Sequence, residues 1–156
     1  MADSTTIDFT TAKGSQGLAG GNPVVFYEQY IDASVVNLDN TISYALFDIP
    51  EGHVHIATTA EVIVAEGGAA TFDLGITGGD VDCFLDGFDA NGAVGLITSS
   101  VAAAHGSAGA TAGYVTPNGG ITMSLLALAD MDAAKFRITA VFMDVRGSST
   151  QMGAVA

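Results

Sequence analysis

The sequence predicts an all-β protein, an antiparallel β-sandwich or jelly roll of about eight short strands with a flexible N-terminal arm. From Pro23 onward, short apolar runs rich in Val, Ile, Phe, Tyr and Thr are separated by Gly, Asn, Asp and Pro. This pattern is typical of strands joined by tight turns. Only Met131–Phe136 and Val101–His105 look briefly helical, and neither carries an apolar stripe long enough to cover a sheet. The α/β class is therefore excluded.

The chain divides into an arm over residues 1–22, a β-sandwich domain over residues 23–146 and a tail over residues 147–156. The arm is rich in Gly, Ser, Thr and Ala, so it has little apolar surface to bury and much conformational entropy to lose on ordering. Its flexibility is predicted on that ground. The whole chain of 156 residues has the length of one ordinary domain.

The first four strands are predicted from their apolar content and their bounding turns. Val24–Ile31 is apolar and aromatic and follows the arm, and Thr41–Ile49 ends at a Pro-Glu-Gly turn. Val54–Ala65 alternates apolar and polar residues, which is the period of a half-buried strand. Ala70–Thr77 alternates in the same way and lies between two Gly-Gly pairs.

The last four strands are also predicted from alternation of apolar and polar residues, which is weak in the first two and clear in the last two. Val81–Phe88 alternates imperfectly, with Cys83 predicted as a small core residue in mid-strand, and Val94–Val101 is a weak candidate. Ile121–Ala129 alternates cleanly. Lys135–Val145 places Phe and Ile side chains opposite Lys and Arg, which indicates one buried and one solvated face.

Composition excludes several classes of function. Four cations against 17 carboxylates give a formal net charge of −13, which argues against nucleic acid and against anionic membranes as partners. No secretion signal is expected at the N-terminus, and a single cysteine permits no intrachain disulfide. The stretch Ala90–Ala129 contains no Asp, Glu, Lys or Arg. We expect such a surface to be covered by the core, by a second subunit or by a larger partner.

Two histidines on the third predicted strand raise the question of a metal site. Alternation places His53, His55 and Glu61 on one face, where two imidazoles two residues apart could hold one ion. The pattern resembles the first motif of the cupin family, but the spacing to Glu61 is longer, Phe47 occupies the upstream glycine position and no second motif follows. The favoured interpretation is that both histidines lie on the solvent face of a strand, and no cofactor, metal or catalytic residue is assigned.

An acidic segment offers a second candidate metal site. It contains Asp80, Asp82, Asp86, Asp89 and Asn91 among several glycines. Oxygen ligands of this kind suit calcium, but the spacing matches neither an EF-hand loop nor a nonapeptide calcium repeat. We favour turn residues, because Asp and Asn hydrogen-bond their own backbone and Gly supplies positive φ.

Some large apolar side chains fall outside the core that alternation predicts. They are Phe84, Phe88, Tyr114, Leu126 and Leu128. Either they form a second buried face of the sandwich, or they lie at a subunit interface.

The order of several segments resembles small structural proteins of marine tailed bacteriophages, associated with capsid decoration or cement. The segments that carry this resemblance are Phe47–Gly52, Ala60–Gly68, Thr71–Gly79, Phe84–Gly87 and Leu125–Arg146. The resemblance covers roughly residues 40–146 and rests on the residue types and the order of these segments, without a catalytic motif.

The resemblance implies a non-enzymatic virion protein, made in the host bacterial cytoplasm, that stabilises the outer surface of a capsid. Its partners would be the major capsid protein and two further copies in a homotrimer. We expect capsid contacts from the segment containing Ile7, Phe9, Leu18 and Val24. Subunit or capsid contacts are expected at Tyr114, Phe88 and Leu126, within or near the loops of residues 92–120.

Two alternatives stay open at this point. A phage tail or fibre protein would also be a virion component rich in β-strands. It would bind host glycans through an aromatic residue such as Tyr114 or Phe88. A cupin-like metal-dependent enzyme would bind an ion at His53, His55 and Glu61.

Overall fold

A computed structural model describes the backbone of residues 7–8, 24–101 and 115–145, and the side chains of residues 24–98 and 115–145. The strands in this part of the chain are β1 Ile7–Asp8, β2 Val24–Asp32, β3 Ser43–Ile49, β4 His53–Val64, β5 Thr71–Ile76, β6 Leu85–Asp89, β7 Ile97–Val101, β8 Ile121–Ala127 and β9 Lys135–Asp144. A four-residue helix, α1, spans Ala33–Val36. The prediction of a nearly all-β fold is confirmed.

The strands form two antiparallel sheets in a jelly-roll topology. The five-stranded sheet has the order β1-β2-β9-β4-β7, and the four-stranded sheet has the order β3-β8-β5-β6. The antiparallel pairs β5–β6, β4–β7, β3–β8 and β2–β9 are nested one inside the next. The chain therefore behaves as one long hairpin, folded at the β5–β6 connection and wound into two sheets, which is the eight-stranded jelly roll with one short added strand.

The brief helix predicted over Met131–Phe136 does not form. Met131 forms an isolated β-bridge with Leu38, and β9 begins at Lys135. The helix that does form, α1, begins after Asp32, whose side chain accepts the Ser34 backbone N–H at 3.1 Å. Most of the second predicted helix, Val101–His105, lies outside the described residues.

The connection between β5 and β6 folds back against β5 at Gly75. A Cβ at Gly75 would lie 2.2 Å from the carbonyl carbon of Val81, so only glycine fits there. Ile76 N–H donates to the Asp80 carbonyl at 2.7 Å, and Phe84 N–H donates to the Leu74 carbonyl at 2.9 Å. Because residues 81–84 make this return, β6 starts later than predicted, and Cys83 is buried just before the strand rather than within it.

Aromatic side chains fill the space between the sheets in two groups. In the first, Phe72 stacks on Phe136 with ring centroids 4.6 Å apart and contacts Phe88 at 4.7 Å. The second group contains Tyr27, Phe47, His55, Phe84 and Phe142. Alternation left Phe84 and Phe88 either on a second buried face of the sandwich or at a subunit interface, and the structure agrees with the first alternative, because both are buried and face the opposite sheet.

A bulge in β4 reverses the predicted facing of its first residues. The pairing of β4 with β9 shifts register between His55 and Ala57, and one extra residue moves every side chain on one side of it to the other face. His53 and His55 are therefore buried, at 3% and 1% exposure, while Ile56 is 43% exposed. After the bulge, Ala60 and Val62 point inward as predicted.

A single carboxylate fixes the segment that leads into β9. The side chain of Glu66 accepts the backbone N–H groups of Asp132, Ala133 and Ala134 at 3.0, 3.1 and 2.7 Å. Partial burial raises the pKa of Glu66, but these three N–H groups outweigh burial and hold the pKa below its ordinary value of 4.5. Glu66 thus satisfies donors that would otherwise be unpaired where the central strand begins.

Glu66→Gln is expected to lower the free energy of unfolding by about 1–3 kcal/mol at neutral pH, because the amide cannot accept all three donors. Urea unfolding followed by circular dichroism measures this. Glu28→Gln, on the exposed side of β2, serves as control and should change stability by less than about 0.5 kcal/mol.

The effect of Glu66→Gln has a defined pH dependence. Because the folded-state pKa is lowered, the stabilisation by Glu66 is present above pH 4.5 and is lost as the pH falls through the folded pKa. The two unfolding curves should therefore converge below pH 4.5. Equal stability of wild type and variant at neutral pH would contradict the assignment.

Candidate assembly surface

The outer face of the five-stranded sheet carries two apolar rows that cross its strands. Residues directly opposite each other in an antiparallel pair share a face. The first row contains Phe26, Val141 and Ala57. The second contains Val24, Met143 and Val54, with Val115 bridged to Val54. Both rows lie at the same end of the sheet.

These rows are substantially open to solvent. Val24, Phe26 and Val115 are 48%, 51% and 50% exposed, and Ile56 of the bulge is 43% exposed. We call this surface the apolar end; its members with described side chains are Val24, Phe26, Val54, Ile56, Ala57, Val115, Val141 and Met143. Contiguous exposed apolar surface makes the apolar end a candidate interaction surface.

The same face becomes charged toward its other end. The next row is polar, with Glu28, Thr139 and Thr59. The rows beyond it pair Arg137 with Glu61 and Lys135 with Asp32, and they also contain the exposed side chains of Tyr30, Ile97 and Val64. Arg137 lies 3.5 Å from Glu61, and Lys135 lies 2.7 Å from Asp32. The hydrogen bond between Lys135 and Asp32 lowers the pKa of the carboxyl and raises the pKa of the amine. Lys135 and Arg137 are the two cations among the described residues, and both are neutralised here.

The outer face of the four-stranded sheet is acidic instead. It carries Asp48, Asp73, Asp86 and Asp89, with no cation in the described part of the chain to balance them. Asp73 is 6% exposed and accepts the Gly87 backbone N–H at 2.7 Å. Burial raises the pKa of Asp73, and the charge of Asp86 raises it further. The two faces of the sandwich thus differ in both polarity and charge.

The residues of the proposed metal site do not come together. His55 lies in the core, with Nε2 2.8 Å from the Thr58 hydroxyl and its ring against Phe84 and Phe142. His53 Nδ1 lies 3.1 Å from the Glu51 carbonyl oxygen. Glu61 lies beyond the bulge on the opposite, outer face. The interpretation of both histidines as solvent-facing is wrong, and so is the alternative of a metal held by His53, His55 and Glu61.

The acidic segment is organised by turns. Asp89 accepts the Asn91 backbone N–H at 2.9 Å, and Asn91 in turn accepts the Gly67 N–H at 2.9 Å. A hydrogen bond with Asp80 raises the pKa of Asp82. Burial, with the charges of Asp80 and Asp82, raises the pKa of the Cys83 thiol to about 12. Within the described ranges, no group of three or more His, Cys, Asp or Glu side chains is placed to hold a metal ion.

The residues predicted to contact a capsid or a second subunit do not lie together in the structure. Ile7 lies in β1, opposite Glu28, and Val24 belongs to the apolar end. Phe9, Leu18 and Tyr114 lie outside the described residues. Leu126 is half-buried on the outer face of the four-stranded sheet.

Phe88 does not hold as a contact residue, because it is 1% exposed between the sheets. The members of the apolar end on β4 and β9 were missed, although β9 carries the signal. Its outward residues run from Lys135 and Arg137 through Thr139 to Val141 and Met143, so one strand passes from charged to apolar along its length.

A second apolar feature lies where the two sheets open beside β2 and β3. This groove has a volume of about 260 Å³ and is lined by residues that include Tyr30, Val35, Val36, Tyr44 and Leu46. Strand β3 is an edge of its sheet, and on the side of β2 away from β9 the described residues supply only the two residues of β1. Unpaired backbone groups along such edges can accept a strand from another chain.

Comparison with known proteins identifies the fold. No protein-family model and no curated protein matches the sequence. A chain in the acidic stable capsid structure of Helicobacter pylori bacteriophage KHP30 matches with a TM-score of 0.57 at 13% identity, covering 80% of this chain and 90% of that chain. A chain of the cyanophage Pam1 capsid asymmetric unit matches with a TM-score of 0.53 at 10% identity, covering 79% of this chain and 86% of that chain.

A third match is a chain of the capsid of Ralstonia phage GP4, with a TM-score of 0.55 at 12% identity and coverage of 81% of this chain and 87% of that chain. The fold is that of phage capsid chains. The resemblance to phage structural proteins is thereby confirmed at the level of fold. Among the described residues, no helix has the length and apolar character needed to cross a membrane.

The inward orientation of His55 is tested by comparison with its neighbour. His55→Ala should lower the free energy of unfolding by about 2–4 kcal/mol, because it empties a packed site between Phe84 and Phe142 and leaves Thr58 without this contact. Ile56→Ala, at the exposed bulge, should cost about 1 kcal/mol or less. Chemical denaturation measures both, and EDTA should change neither value. If the His55→Ala protein is as stable as wild type, the inward orientation of His55 is contradicted.

Proposed function

We propose that the chain is a virion structural protein that decorates and stabilises the outer surface of a phage capsid. In this proposal it acts as a homotrimer that bridges neighbouring major capsid subunits. The observation that carries the proposal is the fold. A jelly roll of nested antiparallel ladders matches chains from three phage capsid structures over about four fifths of its length.

The surface supports a role in assembly. A stable jelly roll needs no exposed apolar rows, since its core lies between the sheets, yet the apolar end leaves Val24 and Phe26 about half exposed. The groove beside β2 and β3 and the outer faces of the two sheets present apolar and acidic surface. Surface of this kind is consistent with a structural role without catalysis. Partners within a capsid would cover such surface.

The mechanism we propose is mechanical. Each trimer makes modest contacts with several coat subunits at once, and these contacts add over a closed lattice, so separation of any two subunits requires several contacts to break together. Carboxylates that face outward give decorated particles like charge and keep them dispersed.

We do not propose a metal-dependent enzyme, because His53 and His55 lie on the opposite face of β4 from Glu61. A tail or fibre protein is less favoured than a head protein, since the three fold neighbours described above come from capsids. One of its two candidate glycan-binding aromatics, Phe88, is enclosed in the core.

Copy number in the virion distinguishes a head protein from a tail protein. Quantitative mass spectrometry of purified virions that carry the chain should find copies of the same order as the major coat protein. Antibody labelling should cover the head evenly. A few copies per particle, with label confined to the tail, would contradict the proposal.

The oligomeric state is a separate test. Native mass spectrometry of the purified protein should show a trimer whose mass is unchanged by a chelator. A monomer or a dimer would contradict the trimer. A transition-metal ion on each chain, released by the chelator, would contradict the absence of a metal site.

A further inference from the structure

Residues 115–120, which we call the clasp, hold the turn between β3 and β4. Thr116 is buried, and its hydroxyl donates to the Pro50 carbonyl at 2.6 Å. The Gly119 N–H donates to a carboxylate oxygen of Glu51 at 3.0 Å, and this second bond is exposed. The clasp is thus tied to the turn at one buried point and one exposed point.

Asn118 and Gly119 form the exposed tip of the clasp. The Gly120 N–H donates to the Pro117 carbonyl at 2.9 Å, and Gly119 has a φ of +89°, as the third residue of a type II turn requires. Asn118 is exposed, and within the described ranges no hydrogen bond holds its side chain. A Cβ at Gly119 would meet nothing within 4 Å. The space around this Asn-Gly pair is therefore open.

A second Asn-Gly pair, formed by Asn91 and Gly92, is restrained. The Asn91 side chain accepts the Gly67 N–H at 2.9 Å, and the Gly92 N–H donates to the Asp89 carbonyl at 3.1 Å. A Cβ at Gly92 would lie 3.0 Å from the Leu96 side chain and 3.1 Å from the Asp89 carbonyl oxygen. The two pairs have the same sequence, but the structure restrains this one and leaves the pair in the clasp open.

An Asn-Gly pair can rearrange without an enzyme. The backbone nitrogen of the glycine bonds to the side-chain carbonyl carbon of the asparagine, and the side-chain nitrogen leaves as ammonia with the proton of the attacking nitrogen. The product is a five-membered succinimide ring. One water molecule then opens the ring at either carbonyl, which gives aspartate or isoaspartate. Glycine favours the first step because it has no side chain to hinder the approach.

We propose that the pair Asn118 and Gly119 is a modification site, at which the folded chain converts asparagine to aspartate and isoaspartate by this route while Asn91 is protected. The hydrogen bond from Gly119 to Glu51 does not protect the clasp in the same way. It ends on an exposed side chain that can rotate away, and a carboxylate can accept the proton that the attacking nitrogen gives up.

The conversion changes the clasp in two ways. The new carboxylate adds a negative charge close to Glu51, and like charges repel. Isoaspartate also lengthens the backbone by one carbon before the Gly119 nitrogen, which displaces this N–H from its acceptor. We therefore expect the modified clasp to hold the turn less tightly and the domain to unfold at a lower denaturant concentration.

The experiment follows both pairs in the full-length protein. Wild type is incubated at mildly alkaline pH and physiological temperature, and mass spectrometry of chymotryptic peptides measures the loss of amide at each asparagine. In the folded protein, Asn118 should convert about tenfold faster than Asn91, because Asn91 and Gly92 must first break two hydrogen bonds. In protein unfolded by guanidinium chloride, the two rates should agree within about twofold.

Equal rates at the two positions in the folded protein would overturn the proposal, and so would slower conversion at Asn118. A difference that persists in the unfolded protein would assign the effect to local sequence and overturn the argument from structure.

The variant Asn118→Gln tests the consequence for the clasp, because its longer side chain forms a cyclic product poorly. After incubation, the midpoint of urea unfolding should fall for wild type and stay unchanged for this variant. An equal fall in both proteins would overturn the effect of the modification on stability.

Discussion

The return of the chain at Gly75 is the constraint on which the other strands depend. The backbone of residues 80 and 81 packs against β5 where any side chain would collide with it. This close approach brings β6 back beside β5 and puts Phe84 into the core against His55 and Phe142. Each wider ladder encloses the narrower one, from β4–β7 to β3–β8 to β2–β9. A glycine within β5 thus permits the return around which the later strands are nested.

Alternation in the sequence was enough to find the β2–β5 and β7–β9 strands and the fold class, because each strand has one face toward the core. Alternation failed where one extra residue in a strand reverses which side chains face the core. The bulge at Ile56 adds a residue to β4, so His53 and His55 point inward although their spacing from Val62 predicts the reverse. The same limitation affected β6, where the alternation of residues 81–84 belongs to a bend and not to a strand. Sequence spacing alone has no signal for either feature.

The candidate site was harder to predict than the fold, for a different reason. The apolar end is assembled from β2, β9, β4 and the residue after a long connection, so it exists only when the register between distant strands is known. Each strand showed part of the pattern, as in the passage of β9 from Lys135 to Met143. The prediction of an N-terminal capsid contact was close in place, since Val24 is part of the apolar end, but it stays a prediction. The choice of Phe88 failed because a bulge between Leu85 and Phe88 puts both side chains on the inner face, although a spacing of three residues predicts opposite faces.

The outermost ladder has a consequence for synthesis of the protein. Strand β2 pairs along its whole length with β9, so that Val24 lies opposite Met143 near the two ends of the domain. Contacts between residues so far apart in sequence form slowly, because the loop they close is long. During translation, the described neighbours of β2 are limited to the two residues of β1 until β9 has left the ribosome. The rows made by Val24, Phe26, Val141 and Met143 are consequently complete only in finished chains, and a prematurely terminated product cannot present the apolar end.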